Sequence, residues 1–282
     1  EVIYPNPGFP IYESGIELAG GTPVPLPLTE DMDFKFSIED LKSKITPKTK
    51  MLIINSPQNP TGGILTQDDL KQIAELAVKH DLWVLADEIY GRVVYDGFTN
   101  YTIAAYPGMM ERTIILDGFS KTYAMTGWRL GFGIMPKELA EVVAKLQTNV
   151  ASCTASFIQM AGIEALTGPQ EWVDNVVAEF RKRRDLIVDG LNSLPGFTCK
   201  KPLGAFYVFP NVAGCLGKTT PKGKKLETDT DFVTALLEER HVATVQGAAY
   251  GMSPYFRISY ATDLDSIREG CKRIKDFCAD LC

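Results

Sequence analysis

Three short apolar runs constrain this chain most: Lys50–Ile54, Leu82–Ala86 and Ile114–Leu116, each breaking off into polar residues. Short apolar runs bounded by turn formers read as buried strands. Between the first two, Thr66 and Asp69 make an N-terminal cap. Leu70, Ile73, Ala74, Leu76 and Ala77 then recur at helical spacing up to about His80. Strands separated by helices imply parallel βαβ units. In such sheets the carboxyl ends of the strands share one edge, and ligands bind there. The runs end near Asn59, near Asp87 and Tyr90, and near Lys121. An amide, a carboxylate, a phenol and an amine are therefore expected to converge on one pocket.

Each of these residues has a plain reading beside the chemical one. Lys121 is a solvated surface lysine, where most lysines sit, or an amine in a partly dry site whose lowered pKa makes it a Schiff-base nucleophile. Asp87 ends a buried strand, which is costly unless a cation or donor meets it. Arg129 lies between Gly127 and Gly131, and glycines let backbone approach something bulky or charged. Phe9, in the turn-rich loop Pro5–Pro10, is a core plug or an apolar face for a flat ring. Arg257 stands among apolar residues of the run Tyr255–Tyr260. It is a structural ion pair or a fork for a substrate carboxylate.

The remaining segments fill out an α/β architecture, a mainly parallel sheet with helices on both faces, followed by a smaller α+β domain. Val2–Tyr4 reads as a strand that starts without lead-in, so material before Glu1 is expected to be missing. Ile11–Ala19 and Ile38–Ile45 read as short helices, Thr22–Leu28 as an edge strand and Phe132–Met135 as another strand. Pro136 opens a helix carrying Leu139, Val142, Val143 and Leu146. A boundary near Gly168-Pro169 gives a large domain, 1–168, and a small one, 169–282. In the small domain, Glu171–Leu194 is a long helix whose basic run Arg181–Arg184 reads as a solvated face. Phe197–Lys200 and Ala205–Phe209 read as antiparallel strands, and Asn211–Asp229 as a loop. Phe232–Arg240 and Leu264–Cys282 read as helices, the latter with Ile267, Cys271, Ile274, Phe277 and Cys278 on one stripe.

Composition narrows the function classes. The 282 residues are 45% apolar and 23% charged with net charge −6, a globular composition without a basic stripe. No nucleic acid and no membrane partner is expected, and no apolar run is long enough to span a bilayer. The six cysteines form no Cys-x-x-Cys pair and read as reduced thiols of a cytoplasmic protein. His80 and His241 are isolated, near helix ends, and no metal site is expected.

The motifs Asn59-Pro60-Thr61-Gly62, Asp87-Glu88-Ile89-Tyr90, Ser120-Lys121, Gly127-Trp128-Arg129-Leu130-Gly131 and Phe256-Arg257-Ile258-Ser259 together resemble the class I aminotransferases. These are fold type I enzymes that use pyridoxal 5′-phosphate, in an aspartate-aminotransferase-like branch. The resemblance implies amino-group transfer between an L-amino acid and a 2-oxo acid, by a ping-pong mechanism through a Lys121 aldimine. It implies that Asp87 pairs with the pyridine nitrogen and that Asn59 and Tyr90 hydrogen-bond the ring's 3′ oxygen. Arg129 and Ser120 would hold the phosphate, Phe9 would stack on the ring, and Arg257 would clamp the substrate α-carboxylate. It also implies a homodimer.

The chain departs from the family pattern in places. Gly118 stands where many members carry a phosphate-binding serine, and Gln246-Gly247 where they often carry Pro-Gly. The family's first helices and a phosphate-capping helix N-terminus precede the position matching Glu1. Related scaffolds also serve carbon–sulfur lyases, decarboxylases and the effector-binding halves of regulators. Arg257 specifies an α-carboxylate and says nothing of the substrate side chain.

Overall fold

In the computed structural model, which describes residues 1–282, the first half forms a sheet. It contains β1 (Val2–Asn6), β2 (Pro23–Pro27), β3 (Met51–Asn55), β4 (Trp83–Asp87), β5 (Thr113–Gly118) and β6 (Gly131–Ile134). The order is β2-β1-β3-β4-β5-β6. All pairings are parallel except that of β6 with β5. Proline-rich β2 takes an edge, where a missing N–H costs no ladder bond. The register sets Asn55 opposite Asp87 and Asp87 opposite Leu116. The carboxyl ends of β3, β4 and β5 therefore stand in a row.

Helices α1 (Ile11–Leu18), α2 (Ile38–Lys44) and α3 (Gln67–Lys79) connect the early strands. Thr66 caps α3, and the Asp69 carboxylate reaches back to the Thr66 backbone, so orphan donors at the helix start are met. The buried residues of α3 are Leu70, Ile73, Ala74, Leu76 and Ala77, the stripe that the spacing indicates. Each large side chain among them stabilises the fold by roughly 1.5–3 kcal/mol relative to exposure.

The second half holds α4 (Lys137–Ala151), α5 (Ser156–Thr167), α6 (Glu171–Asn192), α7 (Asp229–Arg240) and α8 (Leu264–Ala279). It also holds a small antiparallel sheet of β7 (Tyr207–Val208), β8 (Val245–Gln246) and β9 (Phe256–Ser259), in the order β7-β9-β8. The sequence reading assigns no element to α5, because its apolar residues lie all round the helix rather than on one stripe. Helix α4 buries none of its residues, and Val142, Leu146 and Val150 are exposed.

Two expectations are corrected here. Phe197–Lys200 and Ala205–Phe209 do not pair with one another. Tyr207 and Val208 pair with Ser259 and Ile258, and Thr198 bridges Asn211. The intervening turn is held by the first half of the chain instead. Leu203 and Gly204 donate to the Gly62 carbonyl, and Ala205 donates to that of Val93. The basic run of α6 is also not wholly a solvated face, since Arg184 is fully buried. Its guanidinium reaches Asp96 at 2.8 Å and the Pro202 carbonyl at 3.1 Å, lies 2.8 Å from Asp185, and stacks 4.7 Å from the Tyr95 ring centroid. Every donor direction is thus used, which is what allows a buried charge. Arg184→Ala is expected to lower unfolding stability by about 3 kcal/mol, because it deletes a large, fully buried side chain and opens a cavity. Urea denaturation followed by circular dichroism would show it, and an unchanged midpoint would refute it.

Candidate active site

The row of strand ends opens into a cavity of about 560 Å³. Its floor is the end of β3. Asn55 accepts from the Asn59 backbone N–H at 2.9 Å and donates to the Asp87 carbonyl at 3.0 Å, so one side chain ties two loops together. Gln58 donates to the Pro7 carbonyl at 2.7 Å and accepts from the Thr61 hydroxyl, fixing the Asn59 turn against the Phe9 loop. Gly62 closes that turn at φ +71°, and a Cβ there would come within 2.8 Å of the Gly204 carbonyl oxygen. Only glycine meets both conditions.

At the end of β4, one Asp87 oxygen accepts from the Tyr12 hydroxyl at 2.6 Å and the other from the Ile89 N–H at 3.2 Å. Burial raises the Asp87 pKa above the ordinary carboxylate value, against the pull of those donors and of the Lys121 charge. Tyr90 is buried, its hydroxyl 2.9 Å from that of Tyr207. Burial and the Tyr207 hydroxyl push the Tyr90 phenol upward, so it stays protonated and able to donate.

Past β5, Lys121 is partly buried, its amine 5.9 Å from the ring centroids of Tyr90 and Phe206. Its pKa is lowered, first by burial and then by the charges of Arg257 and Arg129, with Asp87 opposing. The solvated-lysine reading therefore fails. Arg129 adopts the left-handed conformation at φ 55°, and its guanidinium donates to the Thr126 carbonyl at 2.9 Å. Gly118 has a steric cause: a Cβ there would lie 3.0 Å from the Gly131 Cα and 3.1 Å from the Leu130 carbonyl oxygen. The close approach of β6 to β5 leaves a serine little room at that position.

The Arg257 guanidinium comes from β9 in the other half of the chain. It donates to the Asn59 side-chain oxygen at 3.0 Å and lies 4.4 Å from the Tyr207 ring centroid and 5.1 Å from that of Tyr250. Its Nε is buried without a partner, and none of the protein's salt bridges uses it. A structural ion pair is not what it makes. An arginine held by an amide and two ring faces keeps its charge for an incoming anion. Phe9 is 41% exposed, so it is no core plug; its ring meets Tyr12 edge-on at 6.1 Å.

All eight residues singled out in the sequence line this one cavity: Phe9, Asn59, Asp87, Tyr90, Ser120, Lys121, Arg129 and Arg257. Sequence reasoning missed Tyr12, Asn55, Asp117, Thr126 and Tyr207, which line it too. Tyr12 had a signal, standing three residues after Phe9 on a helix start, which puts both on one face. Asn55 was visible as the polar last residue of an apolar strand. Tyr207 had none, since its place depends on how β7 meets the loop after β4.

The electrostatics carry a pH prediction. Arg257→Gln removes a positive charge near Lys121, so the Lys121 pKa rises. Only the neutral amine reacts, so labelling of Lys121 by trinitrobenzenesulfonate should slow at neutral pH and recover at higher pH. Peptide mass spectrometry across a pH series would report it, and an unshifted profile would show that the two charges are not coupled.

Residues 1–274 match the family described as aminotransferase class I and II. The chain is 43% identical to an aspartate aminotransferase of Rhizobium meliloti, over all of this chain and 69% of the relative. It is 45% identical to an aspartate/prephenate aminotransferase of Cereibacter sphaeroides, over all of this chain and 71% of the relative. A crystal structure of the aspartate aminotransferase from Rhizobium meliloti superposes with a TM-score of 0.95 at 42% identity, over all of this chain and 71% of that one.

Proposed function

Since this chain belongs to the class I and II aminotransferase family, we propose that the residues converging on its cavity divide the work of amino-group transfer among them. The protein is a pyridoxal-5′-phosphate-dependent aminotransferase acting between an amino acid and a 2-oxo acid. The donor set fits that cofactor: a carboxylate, an aromatic face, a phenol, an amine and a guanidinium line one cavity. When bound, the cofactor supplies an aldehyde for amine capture and a protonated ring that draws electrons from the substrate α-carbon.

Asp87 holds a proton at the ring nitrogen by charge, and Phe9 covers one ring face. Tyr90 and Asn59 donate to the ring's 3′ oxygen. Arg129 and Ser120 bind the phosphate. Arg257 orients the substrate through its α-carboxylate, and its support by Asn59 fixes the fork before substrate arrives. Lys121, neutral near pH 7 more often than a free lysine, takes and returns the α-proton.

One observation carries this reading. The amine of Lys121 is partly desolvated in a cavity that also holds two guanidinium groups and a partly buried carboxylate. Borohydride reduction after adding pyridoxal phosphate, followed by peptide mapping, tests it. A reduced adduct on Lys121 is the expected result, and an adduct elsewhere would overturn the assignment.

The names of the relatives suggest aspartate as a donor and prephenate as an acceptor, and aspartate with 2-oxoglutarate or with prephenate are the first pairs to assay. We further propose a cytoplasmic homodimer divided at about residue 168. Six free cysteines suit a reducing compartment, and no helix is long and apolar enough to cross a membrane. The exposed apolar residues of α4 and α5 suit a covered face. One core cluster draws mostly on residues before 110 and another mostly on residues after 179, which suits the division.

A further inference from the structure

We propose that Tyr12 is a positioning residue for the cofactor, one whose hydroxyl holds the Asp87 carboxylate in a single rotamer and as the anion. The inference rests on the reading that Asp87 partners the ring nitrogen. Its own ground is geometric. The Tyr12 hydroxyl donates to Asp87 Oδ2 at 2.6 Å, a short charge-assisted bond, and Tyr12 is buried at 7% exposure. Oδ1 is taken by the Ile89 N–H. With one donor on each oxygen the carboxylate cannot rotate without losing both bonds.

The donor itself is fixed. Tyr12 sits in the first turn of α1, and its backbone N–H donates to the Phe9 carbonyl at 3.0 Å. That turn therefore delivers the ring-stacking Phe9 and the Asp87 donor as one piece, their rings edge-on at 6.1 Å. The preceding loop is pinned from two sides. Gln58 donates to the Pro7 carbonyl, and the Gly8 N–H donates to the Tyr250 carbonyl.

The neighbours of Asp87 make this donor necessary. Burial favours its neutral form, while Glu88 and Asp117 lie near enough to interact with it as like charges. Tyr90 is a neutral phenol nearby. Lys121 is the one cation that acts on it, and that amine is itself biased toward neutrality. Of these groups, Tyr12 alone donates a side-chain hydrogen bond to the carboxylate.

The test is a double-substitution cycle on the full chain with Tyr12→Phe, Asp87→Asn and both together. Two quantities are read: the dissociation constant for pyridoxal phosphate by equilibrium dialysis, and the pH midpoint of the bound cofactor's absorbance change. Tyr12→Phe is isosteric, and its melting temperature checks that the fold is intact. Loss of one hydrogen bond to a charge should weaken cofactor binding roughly 10- to 100-fold and move the midpoint. In the Asp87→Asn background the same change should have little further effect. Wild-type binding and midpoint in Tyr12→Phe, beside a clear loss in Asp87→Asn, would overturn the role of Tyr12 alone. Additive losses would overturn it too, because Tyr12 would then act by a route other than Asp87. Unchanged binding in Asp87→Asn would instead remove the reading of Asp87 on which the inference stands.

Discussion

Lys121→Ala is expected to lower the rate of amino-group transfer by roughly 10⁴-fold, the upper range for a positioned proton-transferring group. The reason is the state of the amine rather than its presence alone. Partial burial and the charges of Arg257 and Arg129 favour the neutral form, and only that form can accept a proton or attack a carbonyl. Lys121→Arg is the informative companion, because a guanidinium keeps the positive charge but cannot give up its proton. It should be as inactive as the alanine variant, whereas a purely electrostatic role for Lys121 would leave it substantially active. Stopped-flow absorbance with aspartate under single-turnover conditions separates the two.

Asp87→Asn should lower transfer by about 10³-fold, since a neutral amide cannot hold a proton on the ring nitrogen by charge; buried charge pairs broken at one partner lose roughly 3–5 kcal/mol. The same substitution should stabilise the cofactor-free protein near neutral pH. The sign follows from the raised pKa. The folded state binds the Asp87 proton more tightly than the unfolded state does. Stability is therefore lost as pH rises from the unfolded carboxylate value through the folded one, and that loss persists at pH 7. Asparagine carries no such penalty. Urea unfolding of the two cofactor-free proteins between pH 4 and pH 7 should show their stabilities diverging with pH. Parallel curves would mean that burial does not strain this carboxylate.

These effects reflect a trade between stability and function. Asp87 and Lys121 are each held in surroundings that oppose their charged forms, which an ordinary core or surface position would not require. Arg257 shows the same logic in another form, with a buried Nε left without a partner. Such groups are where a fold stores free energy for a ligand.

Local sequence alone sufficed for the six strands of the large sheet, every helix but α5 and the residues at the strand ends. Those features are local. Apolar runs, helical spacing and the Thr66–Asp69 cap act within a few residues of one another, and parallel connection then forces Asn59, Asp87 and Lys121 to one edge. Tertiary structure decided what depends on distant partners. Arg184 left the solvated face because Asp96 and Pro202 lie near it in space. The strands expected at Phe197–Lys200 and Ala205–Phe209 gave up their mutual pairing because Gly62 and Val93 satisfy the turn between them. Tyr12 meets Asp87 across 75 positions of sequence, and Tyr207 meets Tyr90 across 117. Only packing brings such pairs within hydrogen-bond distance, and their chemistry begins there.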